Sequence, residues 1–217
     1  GGSSVCVITS AARVSCWGDD SVGQTGSPIP PHEEGSVAPQ WQPAFVPGVI
    51  SAIDVAMGEA HACALLVRGR VMCWGHDRYG ALGRGAGYTG LPQPEPALVE
   101  GITDAVALAV DDQGGCVVRR SGEVACWGGS VVGYPGFDSA SADECTVVDA
   151  QACWRGPRDI SVPPAHAIVL GGGAGCVATD TGWECFGRND HGALPGPDEP
   201  IDAEATLTMG DGHLCMR

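Results

Sequence analysis

The chain has 217 residues and a formal net charge of −15, with 26 Asp plus Glu against 11 basic residues, every one of them Arg; 44% of residues are hydrophobic and 17% charged. So acidic a surface repels phosphate backbones and argues against nucleic acid as a partner, while the apolar share is enough for a folded core. The 34 Gly and 16 Pro disfavour long helices, and no run of 18 apolar residues could form a membrane-spanning one. No Met opens the chain and no basic-then-apolar leader follows, so the numbering is expected to begin inside a larger or processed protein.

In chain order the residues fall into repeating units. The first holds Cys6, then Cys16-Trp17-Gly18, Gly23 and Gly26, and a Pro-rich connection over residues 27–45 carrying His32, Glu33, Glu34 and Trp41. The second reads as three strands: residues 53–57, ended by Gly58; residues 61–66; and, after the Arg68-Gly69 turn, residues 70–74. Gly75, Gly80 and Gly83 follow, then a connection over 84–97 with Tyr88 and Glu95. The third unit opens on residues 105–110, apolar enough to be mistaken for a helix although no 3.6-residue period supports one. It continues through Cys116, the Ser121-Gly122 turn, Cys126-Trp127-Gly128, Gly133 and Gly136, and a connection over 137–160. In the fourth, Cys176, the Thr181-Gly182 turn, Cys185-Phe186-Gly187 and Gly192 hold the same phase, and Cys215 starts a fifth. No segment keeps a 3.6-residue period, so the chain is predicted to be nearly all β.

Eleven Cys mark the same units, and ten of them fall into consecutive pairs: Cys6/Cys16, Cys63/Cys73, Cys116/Cys126, Cys145/Cys153 and Cys176/Cys185. Zinc knuckles of the Cys-x2-4-Cys kind are absent. Two Cys about ten residues apart around a turn suit a hairpin, where opposed residues lie within disulfide reach. The five pairs are therefore predicted as disulfides formed in an oxidising compartment, that is extracellular, periplasmic or cell-surface; reduced structural thiols are the alternative. Four short strands per unit, repeated, indicate β-propeller blades.

His61-Ala62-Cys63-Ala64-Leu65, Gly69-Arg70-Val71, Cys73-Trp74-Gly75 and Gly80-Ala81-Leu82-Gly83 resemble the repeat of the regulator of chromosome condensation family. The resemblance covers essentially the whole chain and is closest to bacterial, secreted, paired-cysteine members. It departs at the position of His61, which is Ser4, Gly114 and Ala174 elsewhere and His again only at His213. The resemblance implies a seven-bladed ring, which at about 52 residues per blade needs roughly 360 residues. Residues 1–217 are thus expected to form one propeller segment, an arc of about four blades beginning near Cys6, Cys63, Cys116 and Cys176, with a partial fifth at Cys215. The rest of the ring would come from the same longer chain or from another copy. The mate of Cys215 is expected just beyond the sequence, in a Cys-aromatic-Gly at about positions 224–227.

Catalytic signatures are lacking: there is no Gly-x-Ser-x-Gly elbow, no His-Glu-x-x-His and no phosphate-binding glycine loop, so an enzyme is not expected. His61 and His213 read as hydrogen-bonded blade residues, not metal ligands. The carboxylate pairs Asp19-Asp20, Asp111-Asp112 and Asp198-Glu199 read as solvated acidic turns without calcium-loop spacing. Trp17, Trp74, Trp127 and Phe186 read as blade-packing aromatics. No cofactor or metal is expected. The three long connections leave at one phase, hence on one face, and loops on a rigid scaffold carry recognition. Trp41, Tyr88, Trp154 and Arg155 form the predicted binding surface, with Trp154 beside the Cys145/Cys153 pair as its anchor. The expected function is an extracellular or cell-surface binding scaffold for a protein or glycan. Alternatives are a structural subunit of a surface assembly, or an inhibitor resembling the propeller-type β-lactamase inhibitory proteins. The exchange activity of the nuclear family member is not carried over, because that setting is reducing and no motif here matches.

Overall fold

A computed structural model describes residues 2–27, 39–145, 152–189, 192, 194–196, 200–210 and 212–217. Antiparallel strands assemble into five successive sheets. The first holds β1 (Ser4–Ile8), β2 (Arg13–Gly18) and β3 (Gln40–Ile50). The second is a complete blade of β4 (Ala52–Met57), β5 (His61–Leu66), β6 (Val71–His76) and β7 (Pro92–Leu98), paired in that order. In the third, β8 (Ala105–Val110), β9 (Gly114–Arg119) and β10 (Val124–Gly128) precede the two-residue β11 (Asp143–Glu144) and β12 (Ala152–Asp159). There β12 takes the fourth place and β11 adds a fifth strand outside it. The fourth has β13 (Ala167–Gly171), β14 (Ala174–Thr179) and β15 (Gly182–Gly187), with a single Trp183–Ile201 bridge where a fourth strand would run. The last described strands, β16 (Leu207–Gly210) and β17 (His213–Met216), pair as a hairpin. The innermost strands β4, β8, β13 and β16 touch in succession, which makes the sheets blades of a propeller arc.

The second and third blades are buried on both faces, so side-chain alternation there feeds two cores at once, whereas the first blade leaves Val5 and Val7 exposed on its outer face. In β6, Val71 and Cys73 face the third blade together with Leu82, Val99 and Ile102, while Met72 and Trp74 face the first together with Val14, Val46 and Val49. The hairpin disulfides Cys6–Cys16, Cys63–Cys73, Cys116–Cys126 and Cys176–Cys185 join residues directly opposite in register. Their Cα atoms stand 4.0–4.1 Å apart, close to the spacing of a pair without mutual hydrogen bonds. Cys145–Cys153 is also formed, and Cys215 is free and exposed. Five disulfides point to an oxidising environment.

The repeated aromatics lock blade to blade. Trp74 Nε1 donates to the Gln24 carbonyl of the first blade (3.1 Å), and Trp127 Nε1 to the Ala81 carbonyl of the second (2.9 Å). Phe186 has no N–H to give. The residue at the Gln24 and Ala81 position of the third blade is Tyr134, whose ring meets Phe186 edge-on at 4.9 Å between centroids. Gly83, at φ +62°, leaves the room this needs: a Cβ there would come within 2.8 Å of Val99 Cγ1 and 3.2 Å of the Trp127 ring.

Residues 105–110 form a strand beside β9, in keeping with the all-β reading. One expectation is corrected. The long connections are not all loop, since each contains the outer strand of its blade: β3, β7 and β12. His32, Glu33, Glu34 and the Asp198-Glu199 pair lie outside the described residues.

Candidate functional site

One end of every blade is stitched in the same way. At the end of each central hairpin a backbone N–H at or just past the last residue of the returning strand donates to the carbonyl just before the opening strand: Asp19 to Ser3 (3.1 Å), His76 to Ala60 (2.9 Å), Gly129 to Gln113 (2.9 Å) and Arg188 to Gly173 (3.0 Å). The turns β4–β5 and β8–β9 and the connections leaving β2, β6 and β10 therefore share a face. Gly75 permits the stitch in the second blade; at φ +106°, its missing Cβ would sit 2.6 Å from the Ala60 carbonyl oxygen.

Where blades one, two and three meet on this face there is a cleft of about 420 Å³. The first blade contributes Asp19, Ser21, Val22 and Gln24, the second Glu59, Ala60, His61, His76, Arg78, Tyr79 and Ala81, and the third Asp112 and Gln113. The acidic pairs of the sequence are divided here. Asp20 is buried and its Oδ1 accepts the Thr25 N–H (2.9 Å), whereas Asp19 lines the cleft. Asp111 is buried and its Oδ1 accepts from Gln113 N, Gly114 N and Ser130 Oγ (2.6 Å), whereas Asp112 lines the cleft. Burial raises the Asp111 carboxyl, against the lowering effect of its bond from Ser130. One member of each pair holds the loop and the other meets solvent.

His61 is only 1% exposed, and its Nε2 has no hydrogen-bond partner among the described residues. The ring's hydrogen bond is with the Gly114 backbone of the next blade, which leaves Nε2 without a partner. Burial lowers the imidazole to about 4, with the Gly114 backbone opposing and His76 adding to the shift. His76 is lowered by burial and by Arg78, and its Nδ1 accepts the Arg78 N–H (3.0 Å). Both rings are therefore neutral near pH 7. Tyr79 holds φ +59°, uncommon for an aromatic residue, and packs over Gly129 where a side chain would collide. Ser21, the aliphatic hydroxyl of the lining, donates to Asp19 Oδ2 (3.2 Å) and not to an imidazole. The arrangement offers acceptors and negative charge without an activated nucleophile.

Because the His61 pKa is depressed from 6.5 to about 4, the unfolded chain binds the extra proton first. This contribution to stability is whole above pH 6.5 and is lost as the pH falls toward 4. Asp111, raised by burial, runs the other way. In urea unfolding followed by circular dichroism, His61→Gln is expected to show a shallower fall in midpoint between about pH 7 and 4.5 than the parent chain. An unchanged slope would contradict this assignment.

Of the four predicted binding residues Trp154 is buried, Tyr88 and Arg155 are half-buried, and Trp41 is exposed. Trp154, in β12, is 2% exposed and stacks at a tilt on Phe137 (5.6 Å) inside the core between blades three and four, so it is no surface anchor. Tyr88 donates to the Cys145 carbonyl, and the Arg155 guanidinium lies 4.7 Å above the Tyr88 ring while donating to the Glu144 carbonyl. Together with the Cys145–Cys153 disulfide they form a clasp between the second and third blades. Trp41, on β3, is 79% exposed and remains available. Sequence reasoning missed the cleft because its residues come from three blades. The usable signal was the acidic pair at loop starts.

Residues 52–81 match the family model described as the regulator of chromosome condensation (RCC1) repeat. The mitochondrial RCC1 domain-containing protein RUG3 of Arabidopsis thaliana is 24% identical over 181 residues, covering 78% of this chain and 38% of that protein. Among solved structures, Prp20p of Saccharomyces cerevisiae, described with its binding properties to Gsp1p and histones, superposes with a TM-score of 0.73 at 17% identity. That match covers all of this chain and 53% of Prp20p. The ectodomain of the receptor kinase CR4 of Physcomitrella patens gives a TM-score of 0.53 at 18% identity over the whole chain and 48% of its own. The chain thus spans about half or less of the length of the relatives it matches. Among the described residues no helix is long and apolar enough to cross a membrane.

Proposed function

We propose that this chain, a propeller segment built from repeats of the regulator of chromosome condensation family, is a non-enzymatic extracellular or cell-surface scaffold that binds a protein through the face bearing the cleft. The observation that carries this reading is the convergence of loops from three blades on one polar cleft with a buried, unpartnered imidazole nitrogen at its edge. Loops held by a disulfide-stapled framework lose little freedom on binding, which favours recognition. Prp20p supports protein binding as the kind of role, but its partners are not transferred. The five disulfides support the oxidising side of a membrane.

A second reading, a subunit of a surface assembly, draws on the outer strands, where Trp41, Phe45 and Ile50 are exposed along β3. One experiment separates the two. A photo-crosslinking amino acid is placed at Tyr79 on the cleft face, at Trp41 on the rim, or at Arg68 in the β5–β6 turn at the opposite end, and the chain is irradiated in extract of its source. The scaffold reading expects a discrete adduct from Tyr79 and none from Arg68. Adducts from Trp41 alone, of a size equal to another copy of the chain, would favour the assembly.

A further inference from the structure

The cleft has an electrostatic sign. Asp19, Glu59 and Asp112 line it against the single guanidinium of Arg78, and both imidazoles are neutral at pH 7, within a chain whose net charge is −15. The Asp19 carboxylate is already fixed, accepting from Ser21 N (3.0 Å) and Ser21 Oγ (3.2 Å), so a ligand need not order it. His61 adds an independent observation: a side chain 99% buried whose Nε2 meets no partner, at a wall of the same cleft. A volume of about 420 Å³ admits a long side chain, and a wall of carboxylates and imidazoles suits a charged donor better than an apolar group.

The fold contains its own comparison. At the fourth blade the positions of Glu59, His61 and His76 are Gly172, Ala174 and Arg188. There Arg188 lies across Gly173, where a Cβ would come within 2.6 Å of its Nη2. At the fourth blade the chain thus lays a guanidinium of its own on this face.

We infer that the cleft between the first three blades receives one basic side chain of the protein partner, arginine in preference to lysine. This rests on the scaffold reading above and adds the chemistry of the contact. A guanidinium presents up to five N–H donors in a plane and can engage several acceptors of one cleft at once, whereas an ammonium is a point charge.

The test titrates the ¹⁵N-labelled chain at low salt with acetyl-Gly-Arg-Gly-amide and follows the His61 imidazole signals, with lysine, citrulline and glutamate peptides in parallel. The expected result is a saturable shift with the arginine peptide, a weaker response to lysine and none to citrulline or glutamate. Asp19→Asn combined with Glu59→Gln should weaken arginine binding about fivefold while leaving the thermal midpoint unchanged. An equal response to citrulline, or full binding by a folded double variant, would overturn the inference. If no arginine effect is seen while the Tyr79 crosslinker still captures a partner, the basic-side-chain contact falls and the scaffold reading stands. If Tyr79 captures nothing, the scaffold reading itself fails.

Discussion

Replacing Trp127 with alanine is expected to cost about 3–5 kcal/mol of unfolding free energy, the range for removing a fully buried large aromatic. The ring is wholly inaccessible and sits among Leu82, Val99 and Ile102 at the junction of blades two and three, with its Nε1 bonded to the Ala81 carbonyl. Trp127→Phe keeps most of the packing but orphans that buried carbonyl, so a loss of about 1–3 kcal/mol is expected. Urea unfolding followed by circular dichroism measures both. Because each blade is stabilised chiefly by its neighbours, the alanine variant should weaken protection of the amides in β6 and β10 together. A loss confined to β10 would mean that the blades are not coupled through the ring.

The second large effect concerns the hairpin disulfides. Each closes a loop of about ten residues, for which the chain-entropy model gives roughly 2–3 kcal/mol, so removing Cys63–Cys73 by paired alanine substitution should cost that much. Reduction should also proceed in order. Cys6 and Cys185 are partly accessible, whereas Cys63, Cys73, Cys116 and Cys126 are buried. Thiol labelling during a dithiothreitol titration should therefore mark the first and fourth blades before the second and third. Early labelling of Cys73 or Cys126 would show that the central blades open independently of their neighbours.

The blade architecture was legible because it rests on local chemistry. Cys pairs across a hairpin and an aromatic-Gly after the second Cys recur in phase, and each describes a contact within a few residues. The outer strands were harder to see. In β7 the run Pro92, Pro94, Pro96 looks like a loop, since proline cannot donate to a ladder. Yet prolines two apart put every missing N–H along the same edge, and β7 is an edge strand whose other side pairs with β6. The site was legible only in part. Residue type alone ranks Trp154 and Arg155 as binding anchors, but the third-to-fourth blade contact buries Trp154, and Tyr88 with the Glu144 carbonyl engages Arg155. Asp19 and Asp112 read as turn residues, and nothing local tells which carboxylate of a pair turns inward. That depends on which backbone N–H groups need an acceptor: Thr25 for Asp20, and Gln113 with Gly114 for Asp111.

The central claim is that recognition uses the cleft face. Hydroxyl-radical footprinting of the chain in its natural assembly, compared with the isolated chain, tests it most directly, because His76, Tyr79 and Trp41 all carry reactive side chains at distinct places on the surface. The account predicts protection of Tyr79 and His76 with Trp41 unchanged. Protection of Trp41 and Phe45 with Tyr79 and His76 as reactive as in the isolated chain would contradict it.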